Sequence, residues 1–205
     1  MNPYTRQATF EDLDGVIRIE EESWPPEVRA TKKKFEKRLE IFPKGFVLVF
    51  VENEIAGVST SEIVRYNPKN VFTWEEITDH GWIERTHNPD GNALYIVSVG
   101  VSPRFRGVGC GTMLMNAQKS LTEELGLDCL VLGSRLPGYH KNPDLTPEQY
   151  INMRKEGTDR PYDADVCFYD KCGLEVKRVV PEYMEDDPES LNYGAVMCWY
   201  PRKVA

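Results

Sequence analysis

The segment "SPRFRGVGCGTML" (residues 102–114) sets three glycines, Gly107, Gly109 and Gly111, at alternate positions directly after Arg104 and Arg106. Glycine has no Cβ, so its backbone N–H can come close to a ligand. An apolar strand pattern leads in and a helical pattern leads out. The first turn of a helix has free N–H groups and a partial positive charge. That combination suits a phosphate or pyrophosphate. A plain strand-to-helix turn that binds nothing is the alternative. Two phosphate motifs can be tested on the residues. A Walker loop ends Gly-Lys-Ser/Thr, whereas here Gly111 is followed by Thr112. A dinucleotide fingerprint reads G-x-G-x-x-G with an acid closing the next strand. The spacing here is G-x-G-x-G, and the next strand closes on Gly133, Ser134 and Arg135. An arginine there would serve NADP, but too few strand–helix pairs follow for a six-stranded dinucleotide fold.

The elements that must hold this segment are legible on both sides. Thr9 and Asp12 form a capping box opening a helix to Glu22, with Leu13, Val16, Ile17 and Glu20 on its stripe. "SWPPE" ends it, and Thr31 caps a second helix to about Ile41. "GFVLVFVENEIAGVSTSEIVRY" reads as two strands joined at Glu52-Asn53-Glu54. Residues 67–93 read as a long irregular connection. Residues 93–101 form a strand, and a helix runs from about Gly111 to Leu125, stopped by Gly126. "CLVLGS" is a strand, Thr146 with Gln149 opens a short helix, and "ADVCFYDKCG" is a helix ended by Gly173. "LEVKRVV" and "AVMCWY" are the last strands. Mixed elements with no linker or repeat predict one α/β domain over residues 1–205.

Composition narrows the function. The 205 residues carry a formal net charge of −8, which argues against general nucleic-acid binding. Lys32, Lys33, Lys34, Lys37 and Arg38 form a basic run with Phe35, Leu39 and Ile41 as its apolar stripe; the run reads as a solvated helix face, with an anion contact as the alternative. No apolar run reaches membrane-spanning length, and the N-terminus has no signal-peptide core, so a cytoplasmic location is expected. The five cysteines are scattered, with no C-x-x-C pair, and the three histidines lie far apart. Reduced thiols and no metal site are expected.

The segment through Arg106, Gly109 and Gly111 resembles the R/Q-x-x-G-x-G/A signature of the GCN5-related N-acetyltransferase (GNAT) superfamily. Downstream, "CFYDKCGLEV" (167–176) resembles that superfamily's F-Y-x-K-x-G-F segment. "TWEEITDHGW", "THNPDGNALY", "RLPGYHK", "LTPEQY" and "PEYMEDDPESLNYGA" are similar to the acetyltransferase domain fused ahead of carbon–nitrogen hydrolases in some bacterial proteins. The 205 residues are expected to carry no hydrolase domain of their own. The resemblance implies an α/β (α+β) fold with a mixed, twisted sheet of about six or seven strands flanked by helices.

It also implies acetyl-CoA as cosubstrate and an N-acetyltransferase acting on a small-molecule or peptide amine. Backbone groups of Arg106, Gly107, Val108, Gly109, Cys110, Gly111 and Thr112 would hold the pyrophosphate, and Val99 and Val101 would pair with the pantetheine arm. Tyr169 matches the superfamily's acid for the departing thiolate; packing beside Phe168 is its other reading. Neighbouring helix positions point about 100° apart, so both rings are not expected on one face. Glu62 and Glu76 are options for a general base, beside a water chain. Tyr139 and His140 are options for the acceptor cleft. Trp24-Pro25-Pro26 and loop 181–193, whose carboxylates would attract a cationic amine, should flank the acceptor. A non-catalytic acyl-CoA-binding module working with a partner enzyme is the alternative function, and a homodimer stays open.

Overall fold

The chain begins with strand β1 (Tyr4–Gln7), followed by helices α1 (Leu13–Ser23) and α2 (Lys32–Ile41). These are seen in the computed structural model, which describes residues 2–202. The capping box holds: the Asp12 carboxylate accepts from the Thr9 N–H at 2.8 Å, and Thr31 caps α2 through the Lys34 N–H. Next comes the hairpin of β2 (Val47–Val51) and β3 (Glu54–Val64). Its two-residue turn puts both Glu52 and Asn53 at positive φ, the geometry whose twist matches paired strands.

Alternation along β2 explains why both faces are covered. Leu48 and Phe50 point to α1 and α2, packing with Val16, Ile19, Phe35 and Leu39. Val47, Val49 and Val51 point to the opposite face, against Cys110 and Leu114. A short helix α3 (Trp74–Thr78) lies inside the stretch expected to be irregular; its capping box, Thr73 with Glu76, is the sequence signal that reading passed over. Then come β4 (Ala93–Val101), α4 (Cys110–Glu124), β5 (Cys129–Arg135), α5 (Pro147–Ile151), α6 (Ala164–Lys171), β6 (Glu175–Val180) and β7 (Gly194–Trp199).

All seven strands join one mixed sheet in the order β1-β2-β3-β4-β5-β7-β6. The strand that sequence reading missed is β1, an edge strand too short and exposed to show a pattern; Tyr4 stacks on Phe50 at 5.1 Å between ring centres.

The junction at the sheet's centre creates the site. Strands β4 and β5 are parallel, and they pair only over Ala93–Tyr95 with Cys129–Val131. Beyond that they part. β4 stays with β3 to Val101, while β5 stays with β7 to Arg135. The split starts next to a bulge: Thr60 faces Ser98 but Ser61 faces Ile96, leaving Val97 as the extra residue of β4. Bulges bend a strand and re-aim its groups. The carbonyl freed at Val97 accepts from the Trp74 indole N–H at 3.0 Å, which ties α3 to the bulge.

Candidate active site

The parted strands open a cleft of about 600 Å³ lined by Val99, Gly100 and Val101 from β4, Arg106 to Thr112 apart from Val108, and Asp165, Phe168 and Tyr169 from α6. The glycines do unequal work. Gly107 and Gly109 sit at φ +80° and +90°, a region other residues rarely adopt, and a Cβ at either would meet nothing within 4 Å. They shape the loop and leave open space in front of it. Gly111 has ordinary helical φ, but a Cβ there would lie 3.0 Å from Phe168 Cζ. Its role is to let α6 close on α4.

Among the described residues, the amides of Gly107, Val108, Gly109, Cys110, Gly111 and Thr112 have no acceptor; the first bonded amide of this run is Met113, to the Gly109 carbonyl at 3.0 Å. Consecutive free N–H groups at a helix start form an anion-binding concavity. The Val108 side chain is half exposed and does not line the cleft, so any contact from this residue is through its backbone.

Phe168 and Tyr169 both line the cleft, with ring centres 5.0 Å apart, although neighbouring helix positions point in different directions. The cleft is wide enough to meet two sides of α6. The Tyr169 hydroxyl has no hydrogen bond to a described residue. Burial, with Asp165 adding to it, pushes its pKa well up, so the phenol keeps its proton. Asp165 stands one turn earlier on α6; burial and the nearby Asp163 carboxylate raise it to about 6.

Trp24 connects this cleft to a second, smaller cavity of about 160 Å³. The cavity is built from α1, α2, α3, Val97 and Ser98 of β4, and Met184, Glu185 and Asp186 of the loop 181–193. Trp24 and this loop, expected to flank the acceptor, both line this cavity. Tyr183 anchors the loop: its backbone bonds Asn192 and Trp74, its hydroxyl meets that of Tyr95, and its ring fills the space left by Gly133 and Gly194. Arg135 at the end of β5 grips buried Asp187 and reaches Glu189 at 3.0 Å. Two of the carboxylates expected to attract a cationic amine, Asp187 and Glu189, are therefore engaged by Arg135.

Other expected residues lie elsewhere. Glu76 caps α3 through the Thr73 N–H at 2.9 Å and lines neither cavity. Tyr139 is buried, donates to the Leu145 carbonyl at 2.8 Å and packs on Tyr150; His140 pairs with the Glu189 carbonyl. Glu62 is fully buried behind the cavities, accepting from the Thr86 hydroxyl at 2.8 Å. Burial raises its pKa to about 8, favouring the neutral form. Arg38 corrects the basic-run reading. It is 2% exposed, not solvated, and lies on the stripe Phe35-Arg38-Leu39-Phe42, whose i, i+3, i+4, i+7 spacing was the available signal. The Ser23 hydroxyl and the Trp24 indole N–H, both at the cleft, are further buried donors without partners. Among the described residues no cluster of three His, Cys, Asp or Glu side chains is spaced to hold a metal ion, and no helix is long and apolar enough to cross a membrane.

The sheet splits between its two parallel strands, β4 and β5, and the glycine-rich loop stands at the mouth of the split. The model of the acetyltransferase (GNAT) family matches residues 13–140. An uncharacterized N-acetyltransferase, YkwB of Bacillus subtilis (strain 168), is 36% identical over 200 residues, covering 95% of this chain and 87% of that protein. The probable hydrolase YhcX of the same organism is 31% identical over 196 residues; the match covers 95% of this chain and 38% of YhcX. A GNAT-like decarboxylase, GphF, solved in complex with isobutyryl-CoA, has the same fold at a TM-score of 0.80 and 23% identity, covering 96% of this chain and 98% of that one. The chain belongs to the acetyltransferase (GNAT) family.

Proposed function

We propose that the protein transfers an acetyl group from acetyl-CoA to a primary amine by direct attack. The observation that carries this reading is the cleft itself, with unpaired amides from Gly107 to Thr112 at one end and Tyr169 along its wall. In this reading the pyrophosphate sits on those amides with Arg106 beside it, and the pantetheine arm runs along Val99–Val101 where β5 has turned away. Binding of isobutyryl-CoA by a neighbour of the same fold supports a CoA thioester as donor.

The neutral amine attacks the thioester carbon, its proton leaves to water, and the carbon–sulfur bond breaks. The Tyr169 hydroxyl gives a proton to the departing thiolate and regains one from the water that took the amine's proton. A cytoplasmic setting belongs to the same reading and is supported by the free cysteines.

The test is a thermal-shift series with acetyl-CoA and NADP beside a CoA-release assay over an amine panel. Acetyl-CoA at ~100 times its dissociation constant adds about 2.7 kcal/mol of stability, and NADP adds nothing. No shift at millimolar acetyl-CoA overturns the reading. A shift with no release for any amine leaves an acyl-CoA-binding module.

A further inference from the structure

The smaller cavity has a charge without a full set of partners. Arg38 is among its lining residues and almost entirely buried. Its Nε donates to the Gly81 carbonyl at 2.7 Å and its Nη1 to the Thr60 and Ser98 hydroxyls at 3.2 Å each, while Nη2 donates to nothing. A buried guanidinium normally pairs with a carboxylate in bidentate fashion. Two carboxyls are near, Glu20 and Glu62, and neither makes a hydrogen bond or ion pair to Arg38. Glu20 accepts from the Ala30 N–H through one oxygen and Glu62 from Thr86 through one; the second oxygen of each has no partner. Burial pushes both carboxyls up, toward the neutral form, whereas Arg38, lowered to about 10, stays charged.

The cavity thus holds a guanidinium that no carboxylate pairs with directly, although Glu27, Arg29 and Glu75 also line it. Lys34 stands at the same cavity. The carboxylates of Glu185 and Asp186 line another part of its wall. Cationic and anionic groups in so small a space match a ligand that carries both signs.

We infer that this cavity binds the acyl acceptor through a carboxylate, with Arg38 as its anchor, so that the acceptor is a small amino acid or similar aminocarboxylate. The inference rests on the acetyl-transfer reading above. The carboxylate takes the free Nη2 of Arg38, and the amine is held toward Val97 and Ser98, where β4 begins to diverge from β5 and the cavity meets the cofactor cleft at Trp24.

The experiment compares matched pairs on the wild-type protein: amino acids against the amines that lack only the carboxylate, each with saturating acetyl-CoA. Two readouts are taken, CoA release and added thermal stability over acetyl-CoA alone. Loss of a charge-assisted hydrogen bond is expected to lower kcat/KM by about ten- to a hundredfold for the amine of each pair. Arg38→Met, checked for folding by circular dichroism and for an unchanged acetyl-CoA shift, is expected to erase that discrimination by raising KM for the amino acids. If Arg38→Met does not fold, the wild-type pairs still decide. Equal rates and equal shifts within the pairs would overturn the inference and leave Arg38, Glu20 and Glu62 as a hydrated structural network. It would equally fall if amino acids had no effect while malonyl-CoA stabilised the protein more than acetyl-CoA, since the carboxylate would then belong to the acyl group. An absent acetyl-CoA shift strikes the transfer reading itself, and an absent amino-acid shift beside a normal acetyl-CoA shift strikes only this one.

Discussion

The two cavities that meet at Trp24 are made of different materials. The larger cleft is built from backbone: unpaired amides, two glycines at positive φ and a strand edge left open by the parting of β4 and β5. The smaller one is built from side chains, with Arg38 and Glu20 almost fully buried at its wall and each keeping one polar atom without a partner. A backbone site can recognise a phosphate ester whatever the side chains are, because every residue supplies the same N–H. A site made of buried ionisable groups is selective, because each group left unpaired carries a desolvation penalty that only a complementary ligand offsets. In the proposed function the larger cleft takes the cosubstrate, and in the further inference the smaller cavity takes the acceptor.

The largest effect expected from breaking this arrangement is in the larger cleft. Tyr169→Phe keeps the ring packed beside Phe168 and removes only the hydroxyl. Loss of the acid should lower kcat by about 10²- to 10⁴-fold while acetyl-CoA affinity stays near its wild-type value. The deficit should shrink with a donor whose leaving thiolate is more stable. Single-turnover rates with a responsive acceptor check this, and equal rates for the two proteins would return Tyr169 to a packing role.

A smaller loss, confined to the backbone site, is expected for Gly109→Val. Its Cβ and methyls would project into the open space before the amides, lowering acetyl-CoA affinity at least about tenfold. The positive φ adds about 1–2 kcal/mol of strain. Gly157→Val supplies the control, because Gly157 has φ +70°, also has nothing within 4 Å of a Cβ and does not line the cleft. Calorimetric titration and melting curves of both variants separate occlusion from strain. Equal affinity losses in the two would remove the loop from the binding site.

The contrast between the cavities also governs what the sequence makes legible. The backbone cleft depends on glycine spacing and on a strand–loop–helix order, and both are written locally, so the segment 102–114 could be located and its helix placed to within a residue. The split of the sheet was not visible, since it depends on where β5 stops pairing with β4, a contact between residues 36 apart. The smaller cavity draws on α1, α2, α3, β4 and the loop 181–193, elements distant in sequence, and no short motif spans them. Arg38 and Glu20 each sit on the apolar stripe of a helix, which is a local clue. Reading the basic run as a solvated face hides it for Arg38, whereas Glu20 already falls on the stripe of its helix in the sequence. Glu76 and Tyr139 are engaged in a helix cap and an aromatic cluster; the capping box with Thr73 marks the first use in the sequence, whereas nothing local marks the second.

The mildest test concerns the buried carboxyl behind the acceptor cavity. The folded pKa of Glu62 is about 8 against an ordinary 4.5, with burial as the main cause and the Asp79 charge a small addition, opposed by Thr86 and Arg38. Between these two values the folded protein holds a proton that the unfolded chain has released. The associated stabilisation is therefore complete below pH 4.5 and is lost as pH rises through about 8. Glu62→Gln keeps an oxygen for the Thr86 hydroxyl and cannot ionise, so it should remove this slope. Asp165, raised to about 6, contributes a similar loss at lower pH in both proteins, so the informative quantity is the difference between them. The melting temperature of the wild type, relative to Glu62→Gln, should fall steadily from pH 5 to pH 8.5, by an amount corresponding to a few kcal/mol. Binding of an amino acid at Arg38 would shrink the difference if its carboxylate disfavours ionisation of Glu62 further. Parallel melting curves across the whole range would mean that Glu62 is already ionised and paired with Arg38, and the cavity would then lack the free cation on which its selectivity depends.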